Sequence, residues 1–336
     1  MKKLKINIFI LLLSAYFQSY SQDIVFSQNF IVPESLSSSF TGASRTTKLG
    51  SIFRSQWRNS GVKTHSNFAF ADTWFDRYNT GIGISLLNQK EDGSSYTFNQ
   101  LNINFAMAFQ INDSWFFRPS VSMGLGIKNY GFQNLRFGDD FNQANFNFLP
   151  TSSENLSLFS SKRSFFDYSS SILFNNQDSW IGMTFRHLNK PNISLTENRN
   201  VPLDIFFSLH AKYYIPLFQN YRTWITSKSK VFVLSNFIKQ GPFNRLDLGA
   251  QYVYDETLSF GMTLRANPNK STTTASLING YTTFVGLRWQ GYKFGYSYDV
   301  NTLSILNSGG VHEFSVSYDF YVNIGAINRF KCVRLF

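Results

Sequence analysis

The chain has 336 residues, a formal net charge of +11 and 18% aromatic residues, with 37 phenylalanines among them. Its lysines and arginines are scattered over the sequence and form no dense patch, which argues against nucleic-acid binding. Mean hydropathy is slightly negative, although a soluble β-sandwich of this length would rarely contain so much phenylalanine. The composition therefore points away from a nucleic-acid-binding protein and from an ordinary soluble domain.

The first 21 residues have the features of a secretory signal peptide. Three lysines precede a short apolar run at residues 8–15, and Ser19-Tyr20-Ser21 places small residues where a signal peptidase reads. The alternative is an uncleaved membrane helix, but the apolar run is shorter than the roughly 20 residues that span a bilayer. We therefore expect cleavage before Gln22 and export from the cytoplasm.

Apolar and polar residues alternate through most of the remaining chain. Leu101, Ile103 and Phe105, for example, alternate with Asn102 and Asn104. A period of two residues predicts β-strands with one apolar and one polar face. The fourteen predicted strands cover residues 51–58, 66–74, 80–87, 97–110, 115–128, 164–174, 180–187, 203–215, 222–235, 245–254, 257–265, 281–289, 292–300 and 312–322.

The connections between these strands are alternately long and short. Connections after even-numbered strands are mostly brief, and those after odd-numbered strands are mostly longer, as in barrels with periplasmic turns and external loops. The pattern predicts an all-β protein, a transmembrane antiparallel β-barrel of about 14 strands in the outer membrane. A β-sandwich is the alternative fold, but it would not require this loop rhythm.

This architecture divides the chain into four parts. We expect a signal peptide at 1–21, a periplasmic N-terminal segment at 22–50, the barrel at 51–322 and a periplasmic C-terminal tail at 323–336. The even strand count brings both ends of the barrel to the periplasmic side.

The predicted loop 129–163 is the longest external segment and is rich in phenylalanine. Apolar residues on an exterior loop suggest that it folds into the lumen or contacts another protein, and a mobile loop without such a contact is the alternative. The candidate partner-contact residues are Phe132, Phe137, Phe141, Phe146, Phe148 and Phe159.

The sequence shows no converging catalytic or metal-binding group. Its four histidines (His65, His187, His210 and His312) are far apart, and Cys332 has no partner for a disulfide. We therefore expect neither an enzyme nor a cofactor or metal site.

Two further features have more than one interpretation. Asp139-Asp140 offers oxygen ligands for calcium, but a solvated turn is the simpler interpretation. Gly81, Gly83, Gly124 and Gly126 fall on the polar faces of predicted strands, where glycine relieves crowding at barrel bends. Several basic residues have the same parity and suggest an anion-preferring path through the lumen: Arg118, Lys128, Arg245, Arg265 and Arg288.

Both ends of the predicted mature chain resemble the PorP/SprF family of the type IX secretion system. The elements that carry the resemblance are Gln22-Asp23 with Phe26-Ser27-Gln28, then Arg54-Ser55-Gln56-Trp57, Tyr296-Ser297-Tyr298-Asp299, the run from Gly310 to Phe320, and Cys332 near the C-terminus. Two departures are Ser38-Ser39-Phe40-Thr41-Gly42, where an Asn-Pro-Ala segment is usual, and the missing proline after Cys332.

The resemblance implies an outer-membrane barrel that works with the type IX secretion or gliding machinery. Its implied partners are secretion components, outer-membrane lipid and a large secreted cargo or surface adhesin that it helps to export or anchor. No chemical reaction and no nucleic acid belong to this role. A channel or a hydrophobic-substrate transporter is the alternative function.

The last predicted strand has a second expected role. Its outward residues Phe314, Val316, Tyr318 and Phe320 form an apolar stripe. We expect this stripe to contact lipid and to serve as the signal for barrel assembly.

Overall fold

The computed structural model describes residues 22–59, 63–131, 141–142, 147–148, 161–196, 199–216, 229–268, 278–302 and 309–320. Its long strands are β1 (Thr47–Gln56), β2 (Thr64–Phe75), β3 (Thr80–Glu91), β4 (Tyr96–Met107), β5 (Phe116–Asn129), β6 (Lys162–Asn175), β7 (Trp180–Arg186), β8 (Phe206–Ile215), β9 (Lys230–Gln240), β10 (Phe243–Tyr254), β11 (Leu258–Ala266), β12 (Ile278–Trp289), β13 (Tyr292–Asn301) and β14 (Val311–Phe320). Among the described residues, no helix is long and apolar enough to cross a bilayer.

The strands close into an antiparallel barrel. Each pairs with its neighbours in sequence, and β1 also pairs with β14, with Thr47 opposite Phe320 and Gln56 opposite Val311. Closure leaves no long strand with a free edge, so backbone groups at membrane depth pair with one another. The predicted fourteen-strand barrel is confirmed.

The barrel has two rims that differ in their connections. We call the end where β1 begins and β14 ends the turn rim, and the opposite end the loop rim. The turn rim carries the connections 76–79, 108–115, 176–179, 216–229, 255–257 and 290–291. The loop rim carries 57–63, 92–95, 130–161, 187–205, 241–242, 267–277 and 302–310. Because external loops of bacterial barrels are longer than periplasmic turns, the loop rim faces the cell exterior.

The loop rhythm differs from the predicted one at β9. The sequence predicts this strand over 222–235, whereas it runs over Lys230–Gln240 and is followed by a two-residue turn, Gly241-Pro242. Gly241 adopts a left-handed φ of 54°, which glycine tolerates without steric cost. The connection before β9 is consequently long and the connection after it short. Similarly, β3 extends four residues beyond its predicted end and β4 begins one residue earlier than predicted, so only 92–95 lies between them.

The outer face of the barrel is apolar, as the alternation predicts. On β11, Leu258, Phe260 and Met262 are exposed, whereas Ser259 and Thr263, on the opposite face of the strand, are buried. Aromatic residues ring the turn rim, including exposed Tyr78 and Trp289, in the position where amphipathic rings meet the lipid headgroups. The outward stripe on β14 is also present: Phe314, Val316 and Phe320 are exposed and Tyr318 is half-buried.

Residues 22–46 lie inside the barrel, and we call them the lumen plug. The sequence pattern predicts a periplasmic segment over 22–50, but the structure instead places 22–46 in the lumen and 47–50 in β1. Apolar side chains explain the difference, because Phe26, Phe30 and Phe40 bury at least 96% of their surface against inward-facing wall residues. Burying three phenylalanine side chains stabilises the fold by several kcal/mol, and exposed side chains in the periplasm would not contribute this free energy.

Two short 3-10 helices, Pro33–Ser35 and Ser38–Phe40, fold the plug into a compact shape. The Ser37 side chain caps the second by accepting a hydrogen bond from the Ser39 N–H. The Phe40 ring lies edge-on to Trp180 with centroids 5.1 Å apart, so the plug is packed and not merely enclosed.

Candidate functional site in the barrel lumen

Four of the elements that carry the family resemblance, at residues 26–28, 54–57, 296–299 and 310–320, meet at one place in the lumen. Glu313 on β14 accepts hydrogen bonds from the backbone N–H groups of Ser27, at 2.9 and 3.0 Å, and of Gln28, at 3.0 Å. The Ser27 hydroxyl donates to Asp299 on β13 at 2.5 Å. Arg54 on β1 pairs with Glu313 and lies 3.5 Å from Asp299. We call Arg54, Asp299 and Glu313 the seam site, because they span the junction of the first and last strands.

The seam site is built by strand register. Arg54 and Glu313 are direct partners in the β1–β14 ladder, and Ser297 is the partner of Glu313 on β13. All the charged members point inward, where buried carboxylates require both a counter-charge and hydrogen bonds. Arg54 supplies the charge and the plug backbone supplies the donors, so wall and plug complete each other's polar contacts.

An ion network extends from the seam site along the wall. Arg265 lies 3.2 Å from Asp299 and 3.8 Å from Asp247, which in turn pairs with Arg245 at 2.8 Å. These are two of the basic residues that the sequence suggests as an anion path. Their charges are matched by wall carboxylates, so they do not present a free cationic surface to a passing solute.

Arg118, a third member of that set, binds the plug. Its guanidinium donates to the backbone carbonyls of Ser39 at 3.2 Å and Thr41 at 3.1 Å, and it lies 5.2 Å from the Trp74 ring. The two remaining members also have lumen parity. Lys128 lies 5.5 Å from the Phe98 ring, and Arg288 is half-buried.

At the turn rim, glycines allow the plug to approach the wall closely. A Cβ atom at Gly81 would overlap the Thr41 carbonyl, and a Cβ at Gly42 would lie 2.7 Å from the Gly81 Cα. Nearby, Lys48 at the start of β1 pairs with Glu34 of the plug at 2.6 Å. Lumen parity of Gly81 is as predicted, but its contact is with the plug and not only with a barrel bend.

At the loop rim, the plug begins in a second charged cluster. His187, which follows β7, contacts Asp23 at 2.9 Å through Nε2 and Asp167 at 3.0 Å through Nδ1. Gln240, the last residue of β9, accepts from the Asp23 N–H at 2.7 Å, and Arg186 lies 3.6 Å from the Asp23 carboxylate. The first residues of the plug are thus held by the ends of two strands.

Electrostatics strengthen the contact between Asp23 and His187. Burial alone would lower the pKa of His187, but the neighbouring carboxylates of Asp23 and Asp167 raise the pKa to about 9. Burial would likewise raise the pKa of Asp23, but His187 and Arg186 hold the pKa of that carboxyl well below its usual range. Both groups are therefore charged at neutral pH and form an ion pair.

A small cavity lies beside the plug. The cavity between it and the wall has a volume of about 90 Å³ and is lined by polar side chains that include Ser85, Gln100, Asn102 and Asn104. A space of this size and polarity suits a few ordered water molecules.

The predicted histidines do not form a joint site. His210 is fully buried in the lumen, where Ser208 lies 3.2 Å from its Nδ1, and His312 contacts the Tyr296 hydroxyl at 2.9 Å. His65 stacks on Phe53. Within the described ranges, no group of three or more His, Cys, Asp or Glu side chains is arranged to hold a metal ion.

Several predicted site residues lie outside the described residues: Phe132, Phe137, Phe146, Phe159, Asp139, Asp140 and Cys332. Of the predicted contact loop, Phe141 and Phe148 are placed opposite each other in a short two-stranded pairing. Their role in partner contact remains a prediction.

Sequence reasoning missed the seam site and the plug. The signals were present as inward-facing charges at Arg54, Asp299 and Glu313, and as closely spaced apolar residues at Phe26 and Phe30. None of these residues indicates a site by itself. Only their contacts in the folded chain show that the charges bind the plug and that the phenylalanines fill the lumen.

A closed barrel with an apolar outer face and a polar, plugged lumen defines an outer-membrane β-barrel protein. A family model described as type IX secretion system membrane protein PorP/SprF matches residues 18–318. The chain therefore belongs to the PorP/SprF family, and the resemblance found at the two ends is confirmed.

The chain is similar in structure to several outer-membrane proteins of known structure. Omp33 of Acinetobacter baumannii matches with a TM-score of 0.44 and 6% identity, over 82% of this chain and 100% of that chain. The toluene transporter TodX of P. putida matches with a TM-score of 0.47 and 9% identity, over 84% and 92%. The toluene transporter TbuX of Ralstonia pickettii matches with a TM-score of 0.46 and 10% identity, over 85% and 93%. A comparison with curated protein sequences found no match.

Proposed function

We propose that this protein is an accessory barrel of the type IX secretion or gliding machinery that helps to export or anchor a large surface adhesin or other cargo. Family membership over residues 18–318 supports a place in type IX secretion. The observation that carries the rest is the filled lumen. A barrel whose interior is occupied by its own chain offers partners its loops and rims, not a conduit.

The proposed role involves no chemical reaction. Most of the inward-facing charges described above are paired with each other or with the plug, as at Arg54, Arg118 and Arg265, and they act as structural contacts of the lumen. Cargo contact falls to the exposed connections of the loop rim, and the phenylalanine-rich segment 130–161 is the longest of these. Apolar side chains on an external loop are the type of surface that a protein partner covers.

The alternative is an outer-membrane channel or a hydrophobic-substrate transporter. This function would require the plug to leave the lumen or to shift, since the plug fills the described lumen and the cavity beside it is about 90 Å³. Conductance of the purified protein in planar bilayers distinguishes the two functions. Discrete conductance steps in the wild-type protein would favour the channel, and their absence would favour the accessory role.

The proposed function is tested by deleting the gene. Surface proteins are compared by protease shaving of intact cells, together with the secreted fraction, and a complemented strain is the control. Loss of one large surface protein would establish a dedicated cargo, whereas loss of many would indicate a general secretion component. An unchanged surface with altered solute uptake would overturn the proposal.

A further inference from the structure

The plug runs through the barrel from one rim to the other. Asp23 is held by His187 and Gln240, which lie at the loop-rim ends of β7 and β9. At its other end, Gly42 meets Gly81, the second residue of β3, at the turn rim. The chain then enters β1 at Thr47 from that same turn rim.

Contacts with the wall are distributed along this whole path. Val25 packs with Phe206 and Ile238 close to the loop rim. The seam site then holds Ser27, and Arg186 donates to the Ser35 carbonyl at 2.7 Å. Further contacts, already described, involve Arg118 and Lys48 nearer the turn rim. A segment with contacts along its whole length is held firmly inside the barrel.

We propose that the lumen is a binding site for the chain's own residues 22–46, which thread it completely, seal it and place Gln22 at the cell-surface rim. Gln22 is exposed, although the plug residues that follow Val25 are largely buried. The predicted cleavage before Gln22 would make this residue the start of the mature protein. Gln22 therefore forms part of the external surface, while β1 starts on the periplasmic side.

This topology adds the start of the plug to the loops on the external surface. The connection 187–205 and the start of the plug share one side of the loop rim, because His187 and Asp23 are in contact. The inference concerns the barrel itself and holds whichever partner the protein serves.

Labelling in intact cells tests the path of the plug. The full chain carries Cys332→Ser, and one cysteine is introduced as Gln22→Cys, Arg58→Cys or Asp113→Cys. Arg58 and Asp113 are exposed controls on the loop rim and the turn rim, respectively. The reagent is a maleimide attached to a polymer too large to cross the outer membrane.

We expect Gln22→Cys to react in intact cells to the same extent as Arg58→Cys. Asp113→Cys should react only after the outer membrane is permeabilised. If Gln22→Cys behaves like Asp113→Cys, the plug does not thread the lumen in the proposed direction and the inference is overturned.

A pair of glycine variants tests the seal. Gly81→Val introduces a side chain against the plug backbone, whereas Gly124→Val on β5 meets only the wall side chains of Asn102 and Gln100. Folded protein of each variant, verified by heat-modifiable migration, is measured in planar bilayers. We expect conductance steps from Gly81→Val and none from Gly124→Val or the wild type. Conductance by the wild type, or a folded Gly81→Val that stays closed, would contradict the seal.

If neither valine variant folds, the same comparison is made with alanine. Gly81→Ala still places a Cβ against the Thr41 carbonyl, whereas Gly124→Ala meets a movable amide. Labelling of Gln22→Cys does not depend on either glycine variant, so it decides the path independently.

Discussion

Ser27 and Glu313 are separated by 286 positions in the sequence, yet the Ser27 N–H donates to both carboxylate oxygens of Glu313, at 2.9 and 3.0 Å. The contact joins the start of the plug to the last strand of the barrel. Arg54 on the first strand completes it by pairing with the same carboxylate. Three distant parts of the chain thus depend on one side chain.

Replacing Glu313 with alanine should destabilise the folded barrel. The change leaves the buried Arg54 guanidinium short of a counter-charge and the Ser27 and Gln28 N–H groups without acceptors. Removing one partner of a buried ion pair typically costs about 3–5 kcal/mol. The measurement is the temperature at which heat-modifiable migration is lost in detergent.

Two controls accompany the Glu313 variant. Glu313→Gln keeps an oxygen acceptor and should lose less stability than Glu313→Ala. The double variant Arg54→Met with Glu313→Met removes both charges. Its loss of stability should be smaller than the sum of the losses for Arg54→Met alone and Glu313→Met alone. Strict additivity would mean that the two residues do not interact.

The ion pair between His187 and Asp23, which fixes the start of the plug, should weaken at alkaline pH. Because folding raises the pKa of His187 from 6.5 to about 9, its contribution to stability is fully present below pH 6.5 and is lost as the pH rises through about 9. Folding lowers the pKa of Asp23, so the contribution of this carboxylate is present above pH 3.8 and is lost only in stronger acid. Asp167 and Arg186 are the other charged groups that face this pair.

Thermal unfolding in detergent between pH 6 and pH 10 measures this effect. We expect the stabilisation of the wild type relative to the His187→Gln variant to shrink as the pH rises across this range, because the glutamine side chain does not titrate. Parallel profiles for the two proteins would refute the role of His187.

The phenylalanine core of the plug should contribute strongly to stability. Phe40 is fully buried against Trp180 and His210, and truncation of such a residue to alanine costs about 3–5 kcal/mol. Phe260→Ala on the lipid-facing surface is a matched control, because it leaves no protein cavity. Equal losses for the two variants, measured by thermal unfolding, would show that Phe40 is not packed as described.

Charges on the outer face of β14 should block assembly. Phe314→Asp with Tyr318→Asp places two carboxylates toward lipid, where charged residues near the midplane cost about 2–4 kcal/mol if basic and somewhat less if acidic. The expected result is loss of the heat-modifiable form and of outer-membrane recovery. Phe314→Leu with Tyr318→Phe keeps the face apolar and should assemble normally. Normal migration of the Asp variant would exclude β14 as the assembly signal.

Much of the barrel could be predicted because strand periodicity is local. The outward residues of β5, β10 and β11 follow directly from alternation, as shown by exposed Val121, Leu248 and Phe260. Boundaries were harder where polar residues continue the strand. The predicted ninth strand, for example, began eight positions too early relative to Lys230.

The plug could not be predicted because it has no period and little regular structure. Its position depends on contacts such as Ser27 with Asp299, which no local pattern contains. Family motifs marked both residues without showing that they meet. Strand periodicity therefore predicts the strands of the barrel but not the segment that fills the lumen.

The contact between Ser27 and Glu313 also affects the order of assembly. Ser27 is synthesised 286 residues before Glu313, so the plug cannot reach its final contacts until β14 is in place. A chain that ends before β14 would leave its N-terminal segment unattached and its first strand unpaired. The plug thereby makes the native state conditional on β14, since its stability depends on whether residues 22–46 and the last strand have reached the same barrel.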